Sequence, residues 1–146
     1  VKLLAYCLLF ILFVGCSSVT KQDTRKVSLT NMSENTDLDI CTIYGYRLNG
    51  SNLAKKEIIK RNLFSNNEWK LVEQGKIQPG MSECALLAAY GLKGRIKQSF
   101  TTNKKTKELI SKSYIFDCNK SRSTICPQTE VVIKNGNIYQ IKEYKK

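Results

Sequence analysis

Six cysteines and no histidine are the chemically informative facts about this 146-residue chain. The cysteines are Cys7, Cys16, Cys41, Cys84, Cys118 and Cys126. Thiolates bind zinc, but structural zinc sites bring ligands in close pairs, and no CxxC spacing occurs. Without histidine, the commonest general base and metal ligand are both missing. Other nucleophiles and acids read as structural. Ser82 stands before Glu83 and an apolar run, an N-cap position rather than a nucleophile's. Glu57, Glu68 and Glu73 lie among lysines on predicted helices, as solvated or capping carboxylates. There is no Gly-x-Ser-x-Gly elbow, P-loop or paired-carboxylate arrangement. The expectation is a chain with no catalytic residue, no metal and no cofactor, whose cysteines serve attachment or pairing.

Attachment is suggested by LLAYCLLFILFVGCSS, residues 3–18. Its apolar run, Leu3 to Val14, has twelve residues behind Lys2. As a helix it would reach only ~18 Å, short of the ~30 Å hydrocarbon core. A basic start, a short apolar run and small residues at its end make a signal peptide instead. The end resembles the lipobox of bacterial lipoproteins: Val14, Gly15 and Cys16 fit, with Phe13 where leucine is preferred. The resemblance implies cleavage before Cys16 and covalent diacylglycerol and N-acyl chains on it. Each buried CH₂ contributes about 0.8 kcal/mol, so two or three chains anchor stably. Ser17, where an aspartate would mark inner-membrane retention, implies the outer membrane, facing the periplasm.

Removing 1–15 as signal peptide takes Cys7 away, and lipid occupies Cys16. Cys41, Cys84, Cys118 and Cys126 remain, an even number suited to disulfides in an oxidising compartment. Three pairings are possible, and Cys41–Cys84 with Cys118–Cys126 is favoured. On the loop-entropy model the first contributes about 4 kcal/mol and the second, a short hairpin closure, about 2.5 kcal/mol. The remaining 131 residues carry 23 basic against 12 acidic side chains. From Ile77 onward there are 13 basic and 5 acidic residues, so the C-terminal half holds most of the excess. For an exported chain this points away from nucleic acid. The anionic partners it suits are acidic protein surfaces, phospholipid headgroups or lipopolysaccharide. The predicted binding surface is Arg95, Lys97, Lys104, Lys105, Lys107 and Lys112.

Residues 16–39, polar and without periodicity, read as a flexible tether. A single domain is expected over 40–146. It opens with an extended piece, ICTIYGYRL, ending at the turn dipeptide Asn49-Gly50. SNLAKKEIIKRNLF reads as a helix, with Lys55, Lys56, Lys60 and Arg61 on its wet side. SNNEW supplies a capping box, Ser65 with Glu68, opening a helix that stops at Gly75. Pro79-Gly80 suits a type II turn, Ser82 caps the next helix and Gly91 ends it. Beyond Gly94 the period changes to two, giving strands around Ile96–Phe100 and SKSYIFDC joined by TTNKKTKE. TEVVIK and NIYQIKEY flank Asn135-Gly136, the favoured type I′ hairpin pair. Helices first and strands after predict an α+β domain. Two or three N-terminal helices would pack on one face of a three- to four-stranded antiparallel β-sheet.

The ordered set Ile77, Gly80-Met81-Ser82, Gly91 and a terminal Asn135-Gly136 hairpin resembles the SmpA/OmlA family of small outer-membrane lipoproteins, over about residues 53 to 142. Gly91-Leu92-Lys93 departs from the Gly-x-Pro frequent in that family, and SYIF stands for its aromatic-rich strand. The resemblance implies a two-layer helix-on-sheet sandwich and a place in outer-membrane protein assembly or envelope integrity. The functional expectation is a lipid-anchored accessory or scaffold module that binds an envelope protein. The alternative is an inhibitor or exclusion lipoprotein that blocks a lytic enzyme or a surface receptor.

Overall fold

The computed structural model describes residues 26–91, 95–116 and 128–144, with backbone alone at 95–97. A 3₁₀ turn, Met32–Glu34, precedes four helices: α1 (Asp37–Tyr46), α2 (Ser51–Lys60), α3 (Asn66–Glu73) and α4 (Glu83–Tyr90). Four strands follow: β1 (Arg95–Thr102), β2 (Leu109–Phe116), β3 (Gln128–Lys134) and β4 (Asn137–Tyr144). They form one antiparallel meander in the order β1-β2-β3-β4. The α+β class is therefore as read from the sequence, with one helix more than the upper expectation.

That extra helix is α1, and it corrects the reading of ICTIYGYRL as extended. Ile40, Cys41, Ile43, Tyr44 and Gly45 are all buried. A helix enclosed on nearly every side has no polar stripe, so its sequence shows no 3.6-residue period. Its start is nonetheless specified: Thr36 and Asp39 form a capping box, each side chain accepting the other residue's backbone N–H at 3.2 Å. The predicted boundary at residue 40 also moves. Met32 and Asn35 are buried, so the end of the expected tether belongs to the folded domain.

Arg61 fixes that earlier segment. Its guanidinium donates to the carbonyls of Met32, Ser33 and Asn35 at 3.1–3.3 Å and to Asp37 Oδ1 at 2.8 Å. Its Nε donates to Glu57 at 2.9 Å. The bonds to Asp37 and then Glu57 hold the guanidinium more firmly protonated than usual, while the Arg61 bond first, and the nearby charges of Lys60 and Arg61, lower the Glu57 carboxyl. The wet-side reading of Arg61 is thus replaced by a staple between α2 and the chain before α1.

The core lies between the helices and one sheet face. Ile40, Cys41 and Tyr44 of α1 join Ala54 and Ile58 of α2, Val72 of α3 and most of α4. Tyr114, Phe116, Val131, Ile133 and Ile138 close it from the sheet. Trp69 meets Phe64 and Tyr44 edge-on, centroids 4.9 and 6.0 Å apart. α1 and α4 approach closely at Gly45: a Cβ there would lie 2.1 Å from the Leu87 carbonyl oxygen and 2.7 Å from Gly91 Cα. The same pair of helices is joined by a Cys41–Cys84 disulfide, Cα atoms 5.3 Å apart.

Two motifs that the sequence presents separately are bonded to one another. Gly80 N–H donates to the Ile138 carbonyl at 2.8 Å, and Ile138 N–H to Met81 at 2.7 Å. Glu83 N–H donates to the Gly136 carbonyl at 2.8 Å. The Gly-Met-Ser turn thereby lies along the start of β4. At the adjoining hairpin Asn135 and Gly136 have φ of 50° and 75°, as a type I′ turn requires.

Candidate functional site

β1 and β2 pair from Arg95↔Phe116 to Thr102↔Leu109, whereas β2 and β3 pair only from Lys112↔Ile133 onward. The first hairpin therefore runs past the end of β3 as a two-stranded arm. Its turn is built by Asn103, whose Oδ1 accepts from Lys105 N–H at 2.9 Å and Thr106 N–H at 3.3 Å. Asn103 N–H and carbonyl also close onto Glu108 and Lys107 at 2.8 and 2.9 Å. With the backbone satisfied in this way, Lys104, Lys105 and Lys107 are left exposed at the tip. Phe100, Leu109 and Ile110 beside them are 59, 56 and 49% exposed.

The six predicted basic residues do not share one environment. Lys104, Lys105 and Lys107 cluster on the turn, and Arg95 and Lys97 lie at the other end of β1. Lys112 stands apart. Its side chain is 16% exposed and its Nζ lies 2.6 Å from Glu83 Oε1, which also accepts from the Tyr114 hydroxyl. A charge neutralised at this depth supports packing of β2 on α4 more than it attracts a ligand. Glu83, in the first turn of α4, is the buried partner of two sheet side chains. Nothing local announces this, because Lys112 and Tyr114 lie 29 and 31 positions from Glu83.

Glu83 and Lys112 also form the floor of a small cleft of about 170 Å³ between the arm and the Asn135-Gly136 turn, walled by Leu109, Ile110 and Ile133. A wider concavity of about 420 Å³ lies at the turn between α1 and α2, lined by Leu29, Ile43, Tyr46, Leu48 and Asn49. Its walls are mainly apolar and it contains no carboxylate or cysteine.

Ser82, Glu57, Glu68 and Glu73 are engaged in holding the fold. Ser82 Oγ accepts from Ala85 N–H at 3.1 Å, the cap bond expected of it. Glu68 closes the predicted box with Ser65 and also accepts from Ser82 N–H at 2.8 Å, joining α3 to the start of α4. Burial raises the Glu68 carboxyl, but the bonds from Ser82 and Ser65 outweigh that and bring it below the ordinary range. Glu57 pairs with Arg61, and Glu73 with Lys55 at 3.1 Å. On the outer sheet face, the Tyr144 hydroxyl donates to Glu130 at 2.7 Å, lowering the carboxyl and raising the phenol.

Among the described residues no group of three or more His, Cys, Asp or Glu side chains is placed to hold a metal ion. No helix among them is long and apolar enough to cross a membrane. Cys16, Cys118 and Cys126 lie outside the described residues. What fold and surface define is an α+β domain with a basic, partly apolar hairpin arm. Comparison with family models, curated proteins and solved structures gives no match to the chain.

Proposed function

We propose that this chain is a lipid-anchored, non-catalytic protein of the bacterial cell envelope. It hangs from the outer membrane by acyl chains on Cys16, facing the periplasm. Its folded domain is an accessory or scaffold module that binds an envelope protein in outer-membrane protein assembly or envelope integrity. The arm is the observation that carries the binding reading: three exposed lysines stand beside three exposed apolar side chains on one hairpin. Monomer surfaces rarely leave such residues grouped without a partner. The Cys41–Cys84 bond supports export, since disulfides persist in oxidising compartments. The Leu12-Phe13-Val14-Gly15-Cys16 sequence and the SmpA/OmlA resemblance support the anchor and the place of work.

Crosslinking in intact Gram-negative cells, followed by membrane fractionation, tests both halves. The expected result is a membrane-bound chain crosslinked to a specific envelope protein, with Cys16→Ser released into the soluble fraction. Undiminished membrane retention of Cys16→Ser would overturn the anchor. Recovery of the chain without a crosslinked protein would overturn the binding module. Stoichiometric inhibition of a lytic enzyme would assign the blocking role instead.

A further inference from the structure

The turn between α1 and α2 carries two adjoining concavities. One is the apolar concavity of about 420 Å³ lined by Leu29, Ile43, Tyr46, Leu48 and Asn49. The other, of about 590 Å³, shares Leu29, Leu48 and Asn49 with it and adds Tyr44, Arg47, Asn52 and Lys55 to its walls. Volumes of this size are those of small-molecule sites. Leu29 and Leu48 are more than half exposed, whereas Ile43 and Tyr44 are buried. The space therefore runs inward from exposed leucines to buried walls. Neither concavity shares a lining residue with the arm.

One half of this space is apolar and the other cationic, and among the described residues no carboxylate lines either. Of the two cations, Lys55 is paired with Glu73 at 3.1 Å. Arg47 forms no ion pair with a carboxylate among the described residues. Its guanidinium carbon lies 3.9 Å from the centroid of the Tyr44 ring, and one of its nitrogens donates to the Val72 carbonyl at 3.4 Å. The residue occupies a left-handed backbone position, φ 55°, which is costly for any side chain but glycine. A guanidinium has five N–H donors, so a fork stacked on a ring and using one of them has donors to spare. Such a fork binds a carboxylate through two parallel bonds. One unopposed positive charge also matches a carboxylate better than a phosphate monoester, which carries about two negative charges.

We propose that the two concavities form one site for a free fatty acid, with Arg47 holding the carboxylate and the acyl chain lying along Leu29, Ile43, Tyr46 and Leu48. This site goes beyond the binding-module reading and depends neither on the anchor nor on what the arm binds. Each methylene removed from water against these walls favours binding, and the guanidinium sets which end of the ligand stays at the polar side. A bilayer surface or the face of a folded partner would rest on Leu29 and Leu48. A slender, flexible chain also reaches the buried walls.

Amide hydrogen exchange on the full chain reconstituted in phosphatidylcholine vesicles provides the test. Four probes of equal chain length are compared: dodecanoate, dodecanol, dodecyl phosphate and dodecyltrimethylammonium. Dodecanoate should slow exchange over residues 47–53 on the order of tenfold, dodecanol should act only at higher concentration, and the trimethylammonium probe should give no protection. Arg47→Gln should raise the dodecanoate concentration that gives half of this protection about tenfold, to the level of dodecanol. Leu48→Glu, at an exposed position, should abolish protection while exchange in α4 and β3 stays unchanged. Equal protection by dodecanol or the trimethylammonium probe, tighter binding of dodecyl phosphate than of dodecanoate, or no protection by any probe overturns the proposal. So does an Arg47→Gln variant that binds dodecanoate as the wild type does. Protection present without a probe and lost in Cys16→Ser would assign the site to the anchor's own acyl chain and also overturn it. Each of these failures leaves the binding module standing, because that reading is decided by the crosslinked envelope protein.

Discussion

Glu68 accepts from two helix starts through its two oxygens: Oε2 takes the Ser65 N–H at 2.9 Å and Oε1 the Ser82 N–H at 2.8 Å. A capping box needs only the first of these. The second crosses fourteen residues and sets where α4 begins, and with it the Glu83 carboxylate that Lys112 and Tyr114 bind. Replacing Glu68 with glutamine removes the charge from both bonds and should cost about 1–2 kcal/mol in urea unfolding at neutral pH. The lower part of the hydrogen-bond range applies because the side chain is partly exposed and screened. The pH dependence follows from the lowered folded carboxyl. Its contribution is fully present above the unfolded value, near 4.5, and is lost as pH falls through the lower folded value. The gap between wild type and Glu68→Gln should therefore be widest at neutral pH and narrow in acid. A gap that widened in acid would show that the charged carboxylate is not the stabilising form.

At the scale of elements, what could be read from the sequence was what is decided within a few residues. Ser65–Glu68, the Ser82 cap and Asn135-Gly136 are local devices, and each sits where its chemistry requires. The failure at α1 has the opposite cause, since burial on most sides erased the period. Contacts such as Arg61 to Met32 or Lys112 to Glu83 leave no trace in spacing, because their partners are 29 residues away. The basic residues of the candidate surface were visible by type, but only the fold separates tip lysines from the neutralised Lys112. Arg61 provides an element-scale prediction. Lysine keeps its charge but lacks the planar fork that serves several carbonyls at once. Arg61→Lys should accelerate amide exchange over residues 28–36 while leaving α4 and the sheet protected. Uniform acceleration throughout the domain would mean that the segment is part of the global folding unit instead of a stapled extension.

Over the whole molecule, the Cys41–Cys84 bond closes a loop that contains α2 and α3 and draws together the two most buried helices. Gly45 and Gly91 permit the close approach of those helices, and the disulfide restricts how far the unfolded chain can separate them. With a sequence separation of 43 residues, the loop-entropy model assigns the crosslink about 4 kcal/mol. A domain's net stability is typically about 5–15 kcal/mol, so this one bond can decide whether the chain is well folded. The Cys41→Ala/Cys84→Ala double variant should lose about 4 kcal/mol in denaturant unfolding under oxidising conditions. Removing both partners leaves no free thiol there to form a wrong pair. Added reductant should lower the stability of the wild type substantially more than that of the double variant. An unchanged unfolding midpoint in the double variant would show that α1 and α4 hold by packing alone. A loss near the expected size would couple folding to oxidation, so that the chain acquires its full stability only where the Cys41–Cys84 bond can form.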